Sequence, residues 1–199
     1  MSKNYYKRFY SISEFYDFLK AMMRSIKYLR KAKKNSSITD DLVNHIMLAV
    51  TEVNGCEICD YVHTADALKN GMSEDEIDLM VAGNFQAIKS SEGVALLFAQ
   101  HYADKKGKPS KEAWDRVLST YGKKDSLAIL AAIQMIMVGN IYGIAAGALK
   151  HRMQLKPIPK STLAYELGLS LSIIPFLPIA IIDGFIDNQK GQPLLNFDS

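Results

Sequence analysis

The chain has 199 residues, of which 48% are hydrophobic and 23% are charged, and its net charge is +3 at neutral pH. This length and composition are typical of one folded domain with extensions, and they exclude a largely disordered chain. With only two cysteines, the sequence also excludes the disulfide framework of small secreted domains. The first residues show no apolar segment with a cleavage site, so we expect the reducing cytoplasm.

The spacing of apolar residues predicts an all-α fold of about seven helices, followed by a hydrophobic C-terminal arm. The first helix is amphipathic and ends in a cluster of basic residues, which suits a helix C-terminus. No stretch shows the long alternation of apolar and polar residues that indicates a β-strand. The predicted helices cover about residues 11–34, 40–53, 56–69, 74–83, 91–104, 110–118 and 125–151.

Polar residues at the predicted helix ends support these boundaries. Ser37 or Thr39 can cap the second helix with its side-chain oxygen. Ser73 and Glu76 have the spacing of a capping box at the start of the fourth helix. Gly122 is expected to end the sixth helix, because glycine is common at helix C-termini.

The seventh predicted helix is long, almost wholly apolar, and carries a row of small residues. Gly139, Gly143 and Gly147 recur every fourth position, so they share one face and allow another backbone to approach closely. The same pattern occurs where membrane helices pair. We favour the core helix of a soluble all-α domain, because the stretch that contains these glycines also contains the polar residues Asn140 and Tyr142.

The C-terminal part is hydrophobic and contains prolines. Between Glu166 and Asp183 lie sixteen residues without charge, interrupted by Pro175 and Pro178, which we expect to break any helix. This stretch is shorter than a typical membrane span, so contact between subunits is favoured over a membrane hairpin or anchor. The predicted organisation is therefore a basic N-terminal helix at 1–37, a core domain at 38–152 and a C-terminal arm at 153–199.

Charge is unevenly distributed along the chain. Residues 1–34 contain ten Lys/Arg and two acidic residues, whereas the rest contains fourteen basic and nineteen acidic residues. An anionic surface could attract such a segment. No base-reading motif accompanies it, so we interpret it as the solvated face of an amphipathic helix and expect no nucleic-acid partner.

The stretch EVNGCEICDYVH, residues 52–63, holds both cysteines. If Asn54 or Gly55 caps the third helix, Cys56 lies in its first turn and Cys59 one turn later. The positive end of a helix stabilises a thiolate, which is the reactive form of cysteine. His63 follows Cys59 by four residues and can take its proton, and Glu52 would extend the same stripe if the helix nearly continued.

A structural zinc site is one other interpretation of this stretch. Cys56, Cys59 and His63 supply three ligands, but a tetrahedral site needs a fourth. The sequence has no second CxxC or HxxxH motif, so His45 or His101 could supply the fourth ligand only by chance of folding. We therefore favour a site without metal or other cofactor.

Two further interpretations are inert buried thiols and a thioredoxin-like redox motif. The cysteines are flanked by Glu57 and Asp60, so we do not expect them to be deeply buried in apolar surroundings. A thioredoxin-like motif needs a βαβ context, which the helical pattern does not provide.

The segment TEVNGCEICDYVHTADALKNGMSEDEI resembles the core motif of the AhpD-like, carboxymuconolactone decarboxylase superfamily. The similarity lies in the NGCxxC step, the histidine four residues later, a helix with small residues and the GxSxxEI turn. The later stretch 91–149 fits the same layout, so the resemblance covers roughly 38–152. It implies an all-helical subunit that assembles into homo-oligomers, either trimers or hexamers.

The resemblance also implies a role for each residue of the motif. Cys59 would be the attacking thiolate, His63 its activator and Cys56 the resolving thiol. The resulting activity would be that of a thiol peroxidase or a disulfide reductase. The ring-decarboxylating branch of the family lacks the cysteine pair, so lactone decarboxylation is not expected.

One position departs from the family pattern. The peroxidase members use a glutamate twelve residues before the first cysteine, and this chain has Asn44 there. Glu52 is the nearest replacement in the proton relay, and His45 is a weaker one.

Together, these features predict a cytoplasmic, homo-oligomeric peroxidase with the catalytic residues Cys59, Cys56, His63 and Glu52. Its partners would be a peroxide and an external dithiol of the lipoyl or thioredoxin type, and membrane contact by the arm is not favoured. A redox sensor that changes assembly without turnover, a disulfide oxidoreductase and a metal-binding structural domain are the alternatives.

Overall fold

The computed structural model describes residues 4–35, 37–81 and 92–197. Within these ranges the chain forms seven α-helices and no β-strand, which confirms the predicted all-α class. The helices are α1 (Ile12–Lys34), α2 (Asp40–Asn54), α3 (Glu57–Lys69), α4 (Glu74–Val81), α5 (Gly93–Asp104), α6 (Lys111–Met153) and α7 (Leu163–Gln189).

Local signals in the sequence set most of the helix starts. Thr39 caps α2 by accepting a hydrogen bond from the backbone N–H of Leu42. Ser73 and Glu76 form the predicted capping box before α4. The predicted end of the fourth helix near Gly83 and the predicted start of the fifth near residue 91 lie outside the described residues.

Helix α6 contains both the sixth and the seventh predicted helix, which the sequence analysis treats as separate. At Gly122 the backbone has φ 69° and ψ 163°, which is not helical, so the chain bends there and then continues as a helix. The hydroxyl of Ser126 donates hydrogen bonds to the carbonyls of Val117 and Gly122 and fixes the bend. The predicted stop at Gly122 is therefore a kink.

The expected break at Pro175 and Pro178 was wrong, because both prolines lie inside the 27-residue helix α7. Each proline removes one backbone hydrogen bond, and contacts with α1 hold the helix on both sides of the gap. Phe176 packs edge-on against Tyr16 of α1, with ring centroids 5.1 Å apart, and Asp183 accepts a hydrogen bond from the Tyr16 hydroxyl.

The C-terminal half of α6 is the centre of the molecule. Its side chains from Ala128 to Ile133 are fully buried, and α1, α2, α5 and α7 pack around it. One hydrophobic cluster contains Phe15 of α1, Ile46 of α2 and Leu169 of α7. The N-terminal helix, the middle of the chain and the C-terminal arm therefore share a single core.

Among the described residues, α6 and α7 are both long and apolar enough to cross a membrane by length and composition. The most apolar part of α6 is 78% buried within the protein, as expected for a core helix. The corresponding part of α7 is only 22% buried, so one side of this helix presents apolar residues outward.

The N-terminal segment 4–10 lies across the turn between α2 and α3. The Tyr6 N–H donates to the carbonyl of Gly55 at 2.7 Å, and the Arg8 N–H donates to that of Asn54 at 3.3 Å. Gly55 has φ 71°, and a Cβ there would lie 2.8 Å from the backbone nitrogen of Lys7. Glycine is therefore needed both for the turn and for the close contact.

Replacing this glycine tests the contact. We expect Gly55→Ala to reduce the free energy of unfolding by more than the roughly 1–2 kcal/mol that a left-handed backbone costs a residue with a Cβ. Urea unfolding followed by circular dichroism measures the loss. Gly71→Ala is the matched control, because Gly71 also has a positive φ of 95°, but a Cβ there would meet no described atom within 4 Å. Equal losses in the two variants would contradict the packing of segment 4–10.

Candidate redox-active site

A disulfide joins Cys56 to Cys59 at the start of α3, with the two Cα atoms 5.3 Å apart. The expected helix cap at Asn54 or Gly55 was wrong, because Gly55 instead ends α2 in a left-handed conformation. Cys56 is the N-cap of α3, and its Sγ accepts a hydrogen bond from the backbone N–H of Cys59 at 3.3 Å. When the pair is reduced, this N–H and the helix dipole stabilise a thiolate at Cys56.

Both cysteines are buried, with 0% of Cys56 and 8% of Cys59 exposed. The expectation that their surroundings are not deeply apolar was therefore wrong. Ile144 of α6 completes a small apolar cluster with the sulfurs, and Tyr6 and Phe9 pack against it. The covering residues come from distant parts of the chain, which is why the acidic neighbours in the sequence were misleading.

Helix α6 forms the wall behind the disulfide through its row of glycines. A Cβ at Gly143 would lie 2.7 Å and 2.9 Å from the sulfurs of Cys56 and Cys59. The Sγ of Cys59 lies 3.6 Å from the carbonyl oxygen of Gly139, which a reduced thiol can use as an acceptor. One turn further on, a Cβ at Gly147 would lie 2.7 Å from the Tyr6 hydroxyl.

His63 lies on α3 one turn after Cys59 and is half-buried. Its Nδ1 is buried without a hydrogen-bond partner, and among the described residues no hydrogen bond joins it to either sulfur. Burial lowers the pKa of His63, against the opposing effect of Asp66 and Asp60. The imidazole is therefore held in its neutral form, as a proton acceptor needs.

Glu52 and His45, the suggested replacements for the family glutamate, have other partners. The carboxylate of Glu52 forms an ion pair with the Lys7 ammonium group, which also donates to the Glu52 carbonyl at 2.8 Å. The Nδ1 of His45 lies 2.6 Å from Glu92, and its Nε2 lies 3.1 Å from the sulfur of Met72. Because Gly55 ends α2, the proposed stripe from Glu52 through the cysteines is not one continuous helix face.

Three residues that the sequence analysis did not select gather beside the disulfide. The Tyr6 hydroxyl donates to Oε2 of Glu57 at 3.0 Å, and the Nε2 of His151 lies 2.7 Å from the same oxygen. Glu57 follows Cys56 directly, but Tyr6 and His151 are 51 and 94 residues away from it. No local pattern in the sequence marks partners at such distances.

A cavity of about 600 Å³ opens next to this cluster. Its lining combines apolar side chains with charged groups of both signs, so it suits a small amphipathic molecule. Among the described residues, no group of three or more His, Cys, Asp or Glu side chains is placed to hold a metal ion. The lining includes Glu57, Ile58, Asp60, Tyr61, Leu68, Lys150 and His151.

Comparison with known proteins shows that the part of the chain that contains the cysteine pair is similar to a known sequence family. Residues 15–92 match the carboxymuconolactone decarboxylase family. The matched range begins within α1, before the motifs that carry the resemblance in the sequence. The chain is also 29% identical over 142 residues to the uncharacterized protein YdfG of Bacillus subtilis (strain 168), covering 67% of this chain and 92% of YdfG. No solved structure matches the chain significantly.

The lowered pKa of His63 predicts how stability depends on pH. The unfolded chain binds a proton at His63 more readily than the folded protein does. The contribution of neutral His63 to the free energy of unfolding is therefore complete above the ordinary histidine pKa, and it is lost as pH falls below that pKa. We expect the melting temperature of the wild type to fall more between about pH 7.5 and 5.5 than that of His63→Gln. Parallel thermal melts measure this, and an equal fall in both proteins would contradict the buried, neutral imidazole.

Proposed function

We propose that this protein is a thiol peroxidase. Residues 15–92 match the carboxymuconolactone decarboxylase family, which includes AhpD-like peroxidases. The observation that carries the proposal is the pair Cys56 and Cys59, at disulfide distance on the first turn of α3. A pair that closes and opens without large movement is what a dithiol/disulfide cycle requires.

The proposed cycle has three steps. The Cys59 thiolate attacks the terminal oxygen of a hydroperoxide, the O–O bond breaks, and the departing alkoxide takes a proton to become an alcohol. The thiol of Cys56 then attacks the Cys59 sulfenic acid, a disulfide forms and water leaves. Two thiol–disulfide exchanges with an external dithiol restore both thiols, so hydroperoxide and dithiol become alcohol, water and a new disulfide.

The geometry supports this division of roles. Cys59 is the more exposed of the two residues, which favours it as the cysteine that an incoming group reaches first. The Sγ of Cys56 accepts a hydrogen bond from the Cys59 N–H at the helix cap. Because this hydrogen bond stabilises a thiolate, Cys56 is the better leaving group when the disulfide is reduced. His63 is a neutral base one helical turn from Cys59, so it can take up the proton of that thiol directly or through water. The cycle requires no metal, haem or flavin.

The burial of both sulfurs favours a second candidate, a redox sensor. Segment 4–10 covers the pair through Tyr6 and Phe9, so a change of oxidation state would act directly on this segment. A sensor is oxidised once per molecule and then changes its conformation or assembly, whereas a peroxidase turns over. Turnover with excess dithiol and hydroperoxide therefore separates the two functions.

The proposed partners follow from the same chemistry. The pair needs an external reductant, which we propose to be a dithiol of the lipoyl or thioredoxin type. Such a cycle fits the reducing cytoplasm, where a closed disulfide is opened again. We propose no role for nucleic acid.

We also propose that the outward face of α7 joins subunits of a homo-oligomer. Folded soluble monomers rarely expose so large an apolar surface. A separate membrane span would require α7 to leave α1, yet a Cβ at Gly184 would lie 3.2 Å from the Arg24 side chain and Lys20 pairs with Asp187 at 3.4 Å. The exposed apolar residues of this face are Leu163, Leu167, Leu171, Ile174, Leu177, Ile179, Ile181, Ile182, Phe185 and Ile186.

Cysteine variants test the redox cycle. With one equivalent of an organic hydroperoxide, the reduced wild type should lose two hydrogens, because the pair closes to a disulfide. Cys56→Ala should gain one oxygen at Cys59 as the sulfenic acid, and Cys59→Ala should not change in mass. Both variants should lose turnover. Intact-mass spectrometry and a coupled peroxidase assay measure these results, and full turnover by Cys59→Ala would refute the mechanism.

Substitutions on α7 test the subunit contact. We expect Ile174→Lys combined with Phe185→Lys to reduce the mass of the protein in solution to that of a monomer, as measured by chromatography with light scattering. Met153→Lys is the matched control, because Met153 is a similarly exposed apolar residue outside α7. A wild type that is monomeric would contradict the proposal, and co-flotation with anionic lipid vesicles would assign the face to a membrane instead.

A further inference from the structure

We propose that residues 4–7 form a flap that separates the cysteine pair from the cavity and lifts to admit a reactant. The role of this flap rests on the redox cycle proposed above, since a reactant must reach the sulfurs in each half of that cycle. The flap precedes residues 15–92, the part of the chain that matches the family, so family membership by itself does not imply it.

The closed flap leaves little of the pair accessible. Cys56 is 0% exposed and Cys59 is 8% exposed, and Tyr6 packs against their apolar cluster. Helix α6 closes another side, because the sulfurs leave no room for a Cβ at Gly143. An external thiolate must bring its own sulfur into contact with one of these two sulfur atoms. Because α6 belongs to the core, the covering segment is the side that can open.

Tyr6 stands between the pair and the cavity. Gly143 and Gly147 lie one turn apart on the same face of α6, with the sulfurs over the first and the Tyr6 hydroxyl over the second. Gly147 also lines the cavity, which continues past His151 to Gln154. The Tyr6 side chain thus occupies the place where the cavity meets the cover of the pair. If this side chain moved away, the cavity would extend toward the sulfurs.

One backbone hydrogen bond, from Tyr6 to Gly55, and three side-chain contacts hold the flap closed. Consecutive side chains of the flap each bind an acidic residue that flanks the cysteines in the sequence. These contacts join Tyr5 to Asp60 at 2.8 Å, Tyr6 to Glu57 at 3.0 Å, and Lys7 to Glu52. All three are partly accessible to solvent, and such contacts contribute little to stability because water can replace them. The flap can therefore lift without loss of the core.

The chain on the C-terminal side of the flap is anchored. The Arg8 guanidinium group donates to the carbonyl of Asp104 at 2.8 Å, and Tyr10 is 1% exposed and donates to Asn54 at 2.5 Å. The flap itself contains a strained residue, because the φ of Tyr6 is 56°, a left-handed conformation that is unfavourable for a residue with a Cβ. Lifting relieves this strain, so residues 8–10 serve as the hinge and residues 4–7 as the moving part.

The flap scales every reaction at the pair by the fraction of open molecules. With dithiothreitol, one thiolate attacks Cys59, the S–S bond breaks and its electron pair leaves on Cys56. The second thiol of the reagent then displaces Cys59, so the reagent becomes a cyclic disulfide and its two protons end on the protein thiols. With a water-soluble phosphine, phosphorus attacks a sulfur, and water completes the reaction to a phosphine oxide and two thiols. The two reactions share only the need for contact with a sulfur.

Reduction rates of the full-length protein test the flap. Tyr5→Phe combined with Lys7→Met removes two of its three side-chain contacts, so the open fraction should rise. We expect dithiothreitol and the uncharged tris(hydroxypropyl)phosphine to reduce this variant faster by the same factor, about fivefold or more. Loss of the Lys7 charge alone would instead slow the anionic thiolate and leave the phosphine unchanged. Alkylation of samples at timed intervals, followed by intact-mass spectrometry, measures both rates.

Tyr16→Phe combined with Lys33→Met is the matched control. It also removes a tyrosine–aspartate hydrogen bond, to Asp183, and a lysine–carboxylate ion pair, to Asp40, but both lie outside the flap. This control should keep the wild-type rate with both reagents. An acceleration as large as that of the flap variant would contradict the proposal.

Gly147→Ala displaces Tyr6 from the side of α6 and serves if the double variant does not fold. A Cβ at this position would lie 2.7 Å from the Tyr6 hydroxyl, which must then move. Alanine suits a helix interior better than glycine, so this variant should fold. It should also be reduced faster by both reagents. A wild-type rate with either reagent, in either folded variant, would overturn the flap.

These rates do not require peroxidase activity, so the flap and the proposed function fail separately. A wild type without hydroperoxide turnover, but with faster reduction in the flap variants, would refute the peroxidase and leave the flap in place. A wild type with turnover, and flap variants that are reduced at the wild-type rate, would refute the flap alone.

Discussion

The close contact between the start of α3 and the glycine face of α6 is the constraint on which the site depends. At Gly143 there is room for two sulfur atoms only because no side chain is present. This contact places the disulfide against the buried C-terminal half of α6, so the cysteine pair is held by the core and not by a surface loop. Any cycle at the pair must therefore proceed with little backbone movement.

The N-terminal segment 4–10 gives the site both its apolar cover and its polar contacts. Phe9 and the Tyr6 ring exclude water from the sulfurs, while the Tyr6 hydroxyl and Lys7 bind Glu57 and Glu52 on either side. Excluding water strengthens the electrostatic effects of the helix cap on a thiolate. The same cover limits access, which links reactivity at the pair to the position of this segment.

The local sequence predicted most of the fold, because helix periodicity and caps depend on residues a few positions apart. The starts of α2 and α4 followed from Thr39 and Ser73. Predictions failed where a longer-range contact outweighed local preference. Pro175 and Pro178 were expected to break the chain, but packing of α7 against α1 keeps the helix continuous.

At the candidate site, the sequence by itself determined the cysteine pair. The spacing of Cys56 and Cys59 fixes their proximity on any helix, and the glycine row fixes a face that another backbone can approach. Only the tertiary structure decided what surrounds the sulfurs. Burial, the neighbours of Glu57 and the partner of Glu52 depend on segments that are distant in the chain, and their contacts arise from packing of the whole core, which no local spacing encodes.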